Sequence, residues 1–218
     1  DCQQRIAVVH NGIVENFLPL KQGLLADGHR FASATDTEVI THLIEEGLDQ
    51  GNSFEDAFLR MGRMLQGSQT ITATFLGEAG KICALRLGHA GGIVVAHRNG
   101  QAIVGSDLPA MLPLLRQEPQ FGLVGFLDSG EMAAVTTEGV VYRDIDGNGI
   151  DKQLRSISPE DVQIDKGGYR HFMLKEIMEQ PQAVASVLRN RVDFQAGRIE
   201  LPELSFSQQE LNDFRKVV

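Results

Sequence analysis

The chain has 218 residues, a formal net charge of −9 and 42% hydrophobic content. That is enough apolar sequence for a sizeable core in one or two domains, and the acidic balance disfavours nucleic acid or an anionic membrane surface as partner. No apolar run is long enough to span a bilayer and no signal-peptide pattern opens the chain; two cysteines far apart in sequence, Cys2 and Cys83, fit a reduced, cytoplasmic setting and show no metal-ligand spacing.

Ile6-Ala7-Val8-Val9 is a short apolar run that predicts a buried strand. It leads into His10-Asn11-Gly12, where polar groups and a glycine arrive together. Asn-Gly alone reads as a hairpin turn, because both residues tolerate positive φ. Two features argue against a hairpin. Glu15-Asn16-Phe17 leads into a helical pattern instead of a returning strand, and a tight turn has no need of a His before it and a Glu-Asn after it. The chemical reading is that Asn11 offers a side-chain amide, and Gly12 a bare backbone N–H, to a developing oxyanion. One such aimed donor is worth roughly 2.7–4 kcal/mol.

The first helix is predicted from Asn16 as N-cap, Pro19 in the first turn and Gly28 as terminator, with Phe17, Leu20, Leu24 and Leu25 as its apolar stripe. Thr35 and Glu38 read as a capping box for a second helix whose stripe is Val39, Leu43, Ile44 and Leu48. Asp36 then falls in the first turn, where an acid favours the helix dipole, and local sequence alone assigns it only that role. His42, beside the stripe, reads as a partly buried, hydrogen-bonded side chain. Ser53 caps a third helix, with Asp56 at the N3 position.

From Gln69 the period changes to that of strands. Thr70–Leu76 and Lys81–Leu87 read as partners, Gly88–Gly92 as a loop, and Ile93–Ala96 with Ala102–Gly105 as a hairpin. Ser106-Asp107 starts a helix through Leu115, and residues 121–135 and 139–145 continue the strand pattern. Cys83, in mid-strand, reads as a small buried hydrophobe. His89 and His97 lack a carboxylate or thiolate cluster at ligand spacing, so no metal is expected there. Asp144-Ile145-Asp146-Gly147-Asn148-Gly149 echoes a calcium loop, but it lacks the downstream bidentate Glu and strands flank it, so it reads as a turn. A polar, turn-forming shift spans Ser156–Asp161. Asp165–Pro181 reads as a glycine joint followed by a helix.

Val9-His10-Asn11-Gly12-Ile13-Val14-Glu15-Asn16 resembles the oxyanion-hole segment of class II glutamine amidotransferases. More narrowly, it resembles the glutaminase domain of the isomerising glutamine–fructose-6-phosphate aminotransferases. Thr35-Asp36-Thr37-Glu38-Val39-Ile40 is similar to that family's substrate-amine segment, and Lys166–Pro181 to its hinge between glutaminase and sugar-isomerase domains. The resemblance is weakest between residues 86 and 105, where Gly88–Gly92 replaces the family's Ser-Pro-Leu segment. It implies an α+β fold: a four-layer αββα N-terminal-nucleophile hydrolase-type sandwich, incomplete at its start, followed by the first helix of a sugar-isomerase domain. Residues 1–164 are then the glutaminase domain, 165–181 the hinge, and 182–218 the start of the isomerase domain or a tail.

The resemblance also implies roles. Asn11 and Gly12 are the catalytic oxyanion donors, and Asp36 binds the α-ammonium of glutamine. No cofactor and no metal is implied. The partners are glutamine and, through the isomerase domain, fructose 6-phosphate, in a full-length homodimer. Family members use an N-terminal cysteine whose free amine is its base. Cys2 is not that residue: it directly precedes the strand carrying Asn11, which the family places well downstream of the nucleophile, and Asp1 precedes it. The chain by itself is therefore expected to be inactive. The alternative is a non-catalytic glutamine-sensing or assembly module built on a glutaminase domain.

Overall fold

In the computed structural model, which describes residues 1–98, 100–117, 123–157, 167–189, 191–193, 195–199, 208–213 and 215, the chain opens on strand β1 (Ile6–Gly12). Three helices follow: α1 (Phe17–Ala26), α2 (Thr37–Asp49) and α3 (Phe54–Met64). Then come β2 (Gln69–Phe75), β3 (Ile82–Leu87), β4 (Val94–Arg98), β5 (Gln101–Gly105), α4 (Leu108–Gln117), β6 (Leu123–Phe126), β7 (Glu131–Val135), β8 (Val140–Asp144) and β9 (Arg155–Ser156). The chain divides into two compact units, residues 1–163 and 164–218.

The first unit is built around a sheet that is apolar on both faces. Its strand order is β1-β2-β3-β7-β8, antiparallel throughout. Successive side chains of a strand point to opposite faces, and β3 and β7 show what this achieves. Cys83, Leu85, Met132 and Ala134 join Phe54, Phe58, Leu43 and Ile40 in a core beneath the helices. The alternate residues Ala84, Ala133 and Val135 join Ile93, Val95 and Leu127 in a second core. That second core binds the first sheet to another, of order β5-β4-β6-β9. On the far side of the second sheet α4 lies close: a Cβ on Gly105 would stand 2.7 Å from Met111 Cγ, and Met111 and Leu115 are buried. The layers are thus helices, sheet, sheet, helix, as expected.

Local chemistry explains where most elements begin and end. Ser53 Oγ accepts the Asp56 N–H at 3.2 Å, the predicted cap of α3. Asp107 Oδ1 accepts the Ala110 N–H at 2.7 Å at the start of α4. α1 ends in a Schellman motif on Gly28, with His29 N–H donating to Leu24 O and Gly28 N–H to Leu25 O. At Asp144–Gly149 the Asp144 carboxylate accepts N–H groups of Asp146 and Asn148 and the Asn148 amide, so its oxygens serve the turn.

Two predicted caps are corrected. Asn16 precedes α1 but makes no capping bond; its amide donates to Met64 O and accepts from Gln66 N–H, tying the end of α3 to the start of α1. Thr35 does not cap α2. The N-cap is Asp36, and Glu38 reaches back to the N–H groups of Ala32 and Ser33 at 2.6 and 2.7 Å. Burial alone would raise the Glu38 carboxyl, but these hydrogen bonds and that of the Ser33 hydroxyl outweigh it and bring its pKa to about 2.

In the second unit Gly167 and Gly168, both at positive φ, precede α5 (Phe172–Leu188), followed by the β10–β11 ribbon (Val192–Asp193, Arg198–Ile199) and α6 (Gln208–Asp213). α5 passes through Pro181 without a break, across the boundary that the resemblance places between 181 and 182. Phe172, Leu174, Ile177 and Met178 are largely exposed. The polar shift from residue 158 on and the first residues of the expected hinge, 165–166, lie outside the described residues.

Phe58, fully buried beneath the helices, is expected to support the first unit strongly: Phe58→Ala should lower its unfolding free energy by about 3–5 kcal/mol, read from urea unfolding of the chain.

Candidate active site at the end of the first strand

β1 is the edge strand of its sheet, so alternate backbone N–H groups along it are turned away from β2. It ends at Gly12, whose φ of +137° lies where side chains are strained. A Cβ there would stand 2.4 Å from Ser68 O and 2.9 Å from Gln69 Cα. Glycine is therefore demanded by the close passage of the segment entering β2, independently of any chemistry.

Two residues further on, the Val14 N–H donates to Asp36 Oδ2 at 2.8 Å. Asp36 has helical backbone angles at the N-cap of α2, yet its side chain makes no bond to that helix. The expectation from local sequence, an acid serving its own helix end, is replaced by a tether between the start of α2 and the loop leaving β1. The structure thus brings Asp36 to the segment just past Asn11-Gly12.

Asn11 faces the other way, into a cleft of about 220 Å³ between the two sheets. Thr70 and Thr72 of β2 wall it on one side, Ile93, Val104 and Ser106 on the other. The cleft exists because the β1 end of the first sheet is left uncovered: Val9, on the same face as Asn11, is 74% exposed. Gly91 closes over the amide, since a Cβ there would stand 2.9 Å from Asn11 Nδ2. The Gly88–Gly92 loop, where the resemblance departs from its family, therefore packs on Asn11 itself. Gly12 and Asp36 are not among the residues that line this cleft. Thr70, Thr72, Val104 and Ser106 carried no local signal of a site, because the pairing of β1 with β2 and the stacking of the sheets bring them there.

His10 sits behind this corner, its Nδ1 2.9 Å from Thr37 Oγ1. Burial lowers its pKa below the ordinary 6.5, and the nearby Asp36 and Gln69 only partly oppose the shift.

A glutamine amidotransferase domain profile matches residues 1–73. The chain is 38% identical over its whole length to the glutamine–fructose-6-phosphate aminotransferase (isomerizing) of Symbiobacterium thermophilum, spanning 34% of that protein. It is 42% identical over 188 residues to the enzyme of the same name from Methanothermobacter thermautotrophicus, covering 86% of this chain and 30% of that one. Among solved structures it is similar to the Bacillus subtilis glutamine phosphoribosylpyrophosphate amidotransferase complexed with ADP and GMP, at a TM-score of 0.52 and 23% identity over 66% of this chain and 30% of that one. The chain is thus similar to glutamine amidotransferases, by its match at residues 1–73 and by its identity to these aminotransferases. It spans about a third of the length of the curated relatives it matches. Its two stacked antiparallel sheets between helices are the N-terminal-nucleophile hydrolase fold of those amidotransferases.

Neither Cys2 nor Cys83 lines the cleft. Cys83 is fully buried on the helix side of β3, where burial pushes its thiol pKa well up. Cys2 lies instead with His29, His42 and Glu45, whose donor atoms are mutually within 4.8 Å. His42 is fully buried, more deeply than its position beside the stripe suggested.

In the unfolded chain His10 takes up a proton near its ordinary value of 6.5, whereas in the folded chain it does so only at lower pH. Between those values the unfolded state holds more protons, so acid favours unfolding and the contribution is lost as pH falls. The melting temperature should therefore fall as pH drops from about 7 toward 5, and less steeply in His10→Gln than in the wild type. Parallel melting curves across that range check this.

Proposed function

We propose that this domain is the glutaminase part of an aminotransferase that hydrolyses glutamine and passes the ammonia to fructose 6-phosphate, giving glucosamine 6-phosphate. The observation that supports this reading is the corner at the end of β1: an amide side chain in a cleft, a glycine beside it, and an acidic side chain lashed to the same loop. The 38–42% identity to aminotransferases of that name supports the choice of acceptor. In this reading Asn11 and the Gly12 N–H receive the oxyanion as water or a nucleophile adds to the amide carbonyl. Asp36 pairs with the substrate α-ammonium. Residues 1–164 form the glutaminase domain, 165–181 the hinge, and 182–218 the start of the sugar-isomerase domain, where fructose 6-phosphate binds in a cytoplasmic homodimer of the full-length protein.

The oxyanion exists only near the transition state, so its donors act on turnover more than on binding. In the full-length protein Asn11→Ala should lower kcat for glutamine hydrolysis by about 10²–10³-fold with KM little changed. Asp36→Ala should instead raise KM, by roughly 10–100-fold, the equivalent of a hydrogen bond to a charged group. Equal effects of the two substitutions on kcat and KM would sink the assignment of roles.

With both cysteines away from the cleft, the 218-residue chain by itself should release no glutamate from glutamine. A coupled glutamate assay on the pure chain tests this. Glutamine binding by calorimetry without turnover, in a full-length protein that also fails to hydrolyse it, would favour the sensing-module reading.

A further inference from the structure

Outside the cleft, the fold gathers four side chains from three separate segments. Cys2 precedes β1, His29 follows α1, and His42 and Glu45 lie one turn apart on α2. His29 Nδ1 and His42 Nδ1 stand 3.1 Å apart. Glu45 Oε2 is 3.1 Å from the first and 3.2 Å from the second. Cys2 Sγ is 3.7 Å from each imidazole nitrogen. Hydrogen bonding alone satisfies this arrangement poorly. If both imidazoles donate to Glu45, their two N–H groups crowd onto one oxygen that already accepts the Cys2 N–H at 2.9 Å; if one does not, its lone pair faces a carboxylate.

We propose that Cys2, His29, His42 and Glu45 bind one zinc ion as a structural site. A tetrahedral zinc with nitrogen and oxygen ligands at about 2.0–2.1 Å and sulfur at about 2.3 Å has edges of about 3.3 Å between the former and about 3.5 Å from sulfur to nitrogen. The observed separations of 3.1, 3.1, 3.2 and 3.7 Å follow that pattern. A thiolate and a carboxylate balance the charge of a divalent ion, and a thiolate with two imidazoles favours zinc over calcium or magnesium.

Two further observations support the site. Glu45 has a side chain 2% exposed, and its Oε1 has no partner among the described residues. The Arg30 N–H donates to Cys2 Sγ at 3.3 Å, which fixes the sulfur beside the two imidazoles. Cys2, His29 and Glu45 also line an open cleft of about 200 Å³ with Asp27 and Asp49 in its walls, which gives a cation its way in. With four protein ligands the site is closed to substrate. It clamps the segment before β1 and the turn after α1 onto α2, the helix whose first residues carry Asp36. This inference stands on the cluster alone and not on the reaction proposed above.

The test is zinc content of the purified, untagged chain by plasma mass spectrometry, together with the spectrum of its cobalt-substituted form. The wild type is expected to hold one zinc per chain, and its cobalt form to show a thiolate-to-cobalt charge-transfer band and intense tetrahedral ligand-field bands. Cys2→Ser should lose the charge-transfer band and most of the zinc, His42→Ala all of the zinc, and Cys83→Ser neither. A chelator should lower the melting temperature of the wild type and leave that of Cys2→Ser almost unmoved. Zinc well below one per chain, not restored by dialysis against zinc, overturns the proposal, as does a cobalt spectrum unchanged in Cys2→Ser. If His42→Ala does not fold, the exposed ligand Cys2 still decides the matter.

Discussion

The hydrogen bond from the Val14 N–H to the Asp36 carboxylate, 2.8 Å long, is the contact on which the candidate site depends. A carboxylate accepting a backbone N–H makes a strong, short bond, and here it joins two elements 22 residues apart in sequence. Through it the direction in which the chain leaves β1 is linked to the position of the α2 N-terminus. The neighbouring contact of His10 with Thr37 makes a second link between the same strand and helix. A corner held from both sides can present an amide, a glycine and an acid in constant relation.

Around that corner, the sandwich explains why the site is a cleft. The middle strands of the first sheet bury both faces, and the small side chains Ala84 and Ala133 let the second sheet approach. At β1 that covering stops, so Val9 and Asn11 face open space between the sheets while the helix side of the same strand stays packed. Close packing in the centre and a gap at the edge come from one geometry. Access to the cleft therefore needs no opening of the core.

The cluster of Cys2, His29, His42 and Glu45 gives α2 a second anchor. Asp36 ties the start of that helix to β1, and the cluster ties its middle to the chain before β1 and after α1. The two anchors lie on one rigid element, so the position of Asp36 inherits whatever order the cluster imposes.

Much of this was legible in residue order. Alternation announced the strands, and the Ser53 and Asp107 signals marked helix starts, because these depend on neighbours within a few residues. The failures share a cause. Asn16 and Thr35 carry capping signatures, yet Asn16 serves the end of α3 and Glu38 serves the loop before α2, since partners brought by the fold compete with the helix's own N–H groups. Cys2 looked unremarkable because its partners lie 27 to 43 residues away along the chain. By itself the sequence determined the elements, the apolar faces and the chemical groups at the end of the first strand. Only the tertiary structure decided which distant groups those side chains meet, because strand pairing and sheet stacking set separations that local spacing does not encode.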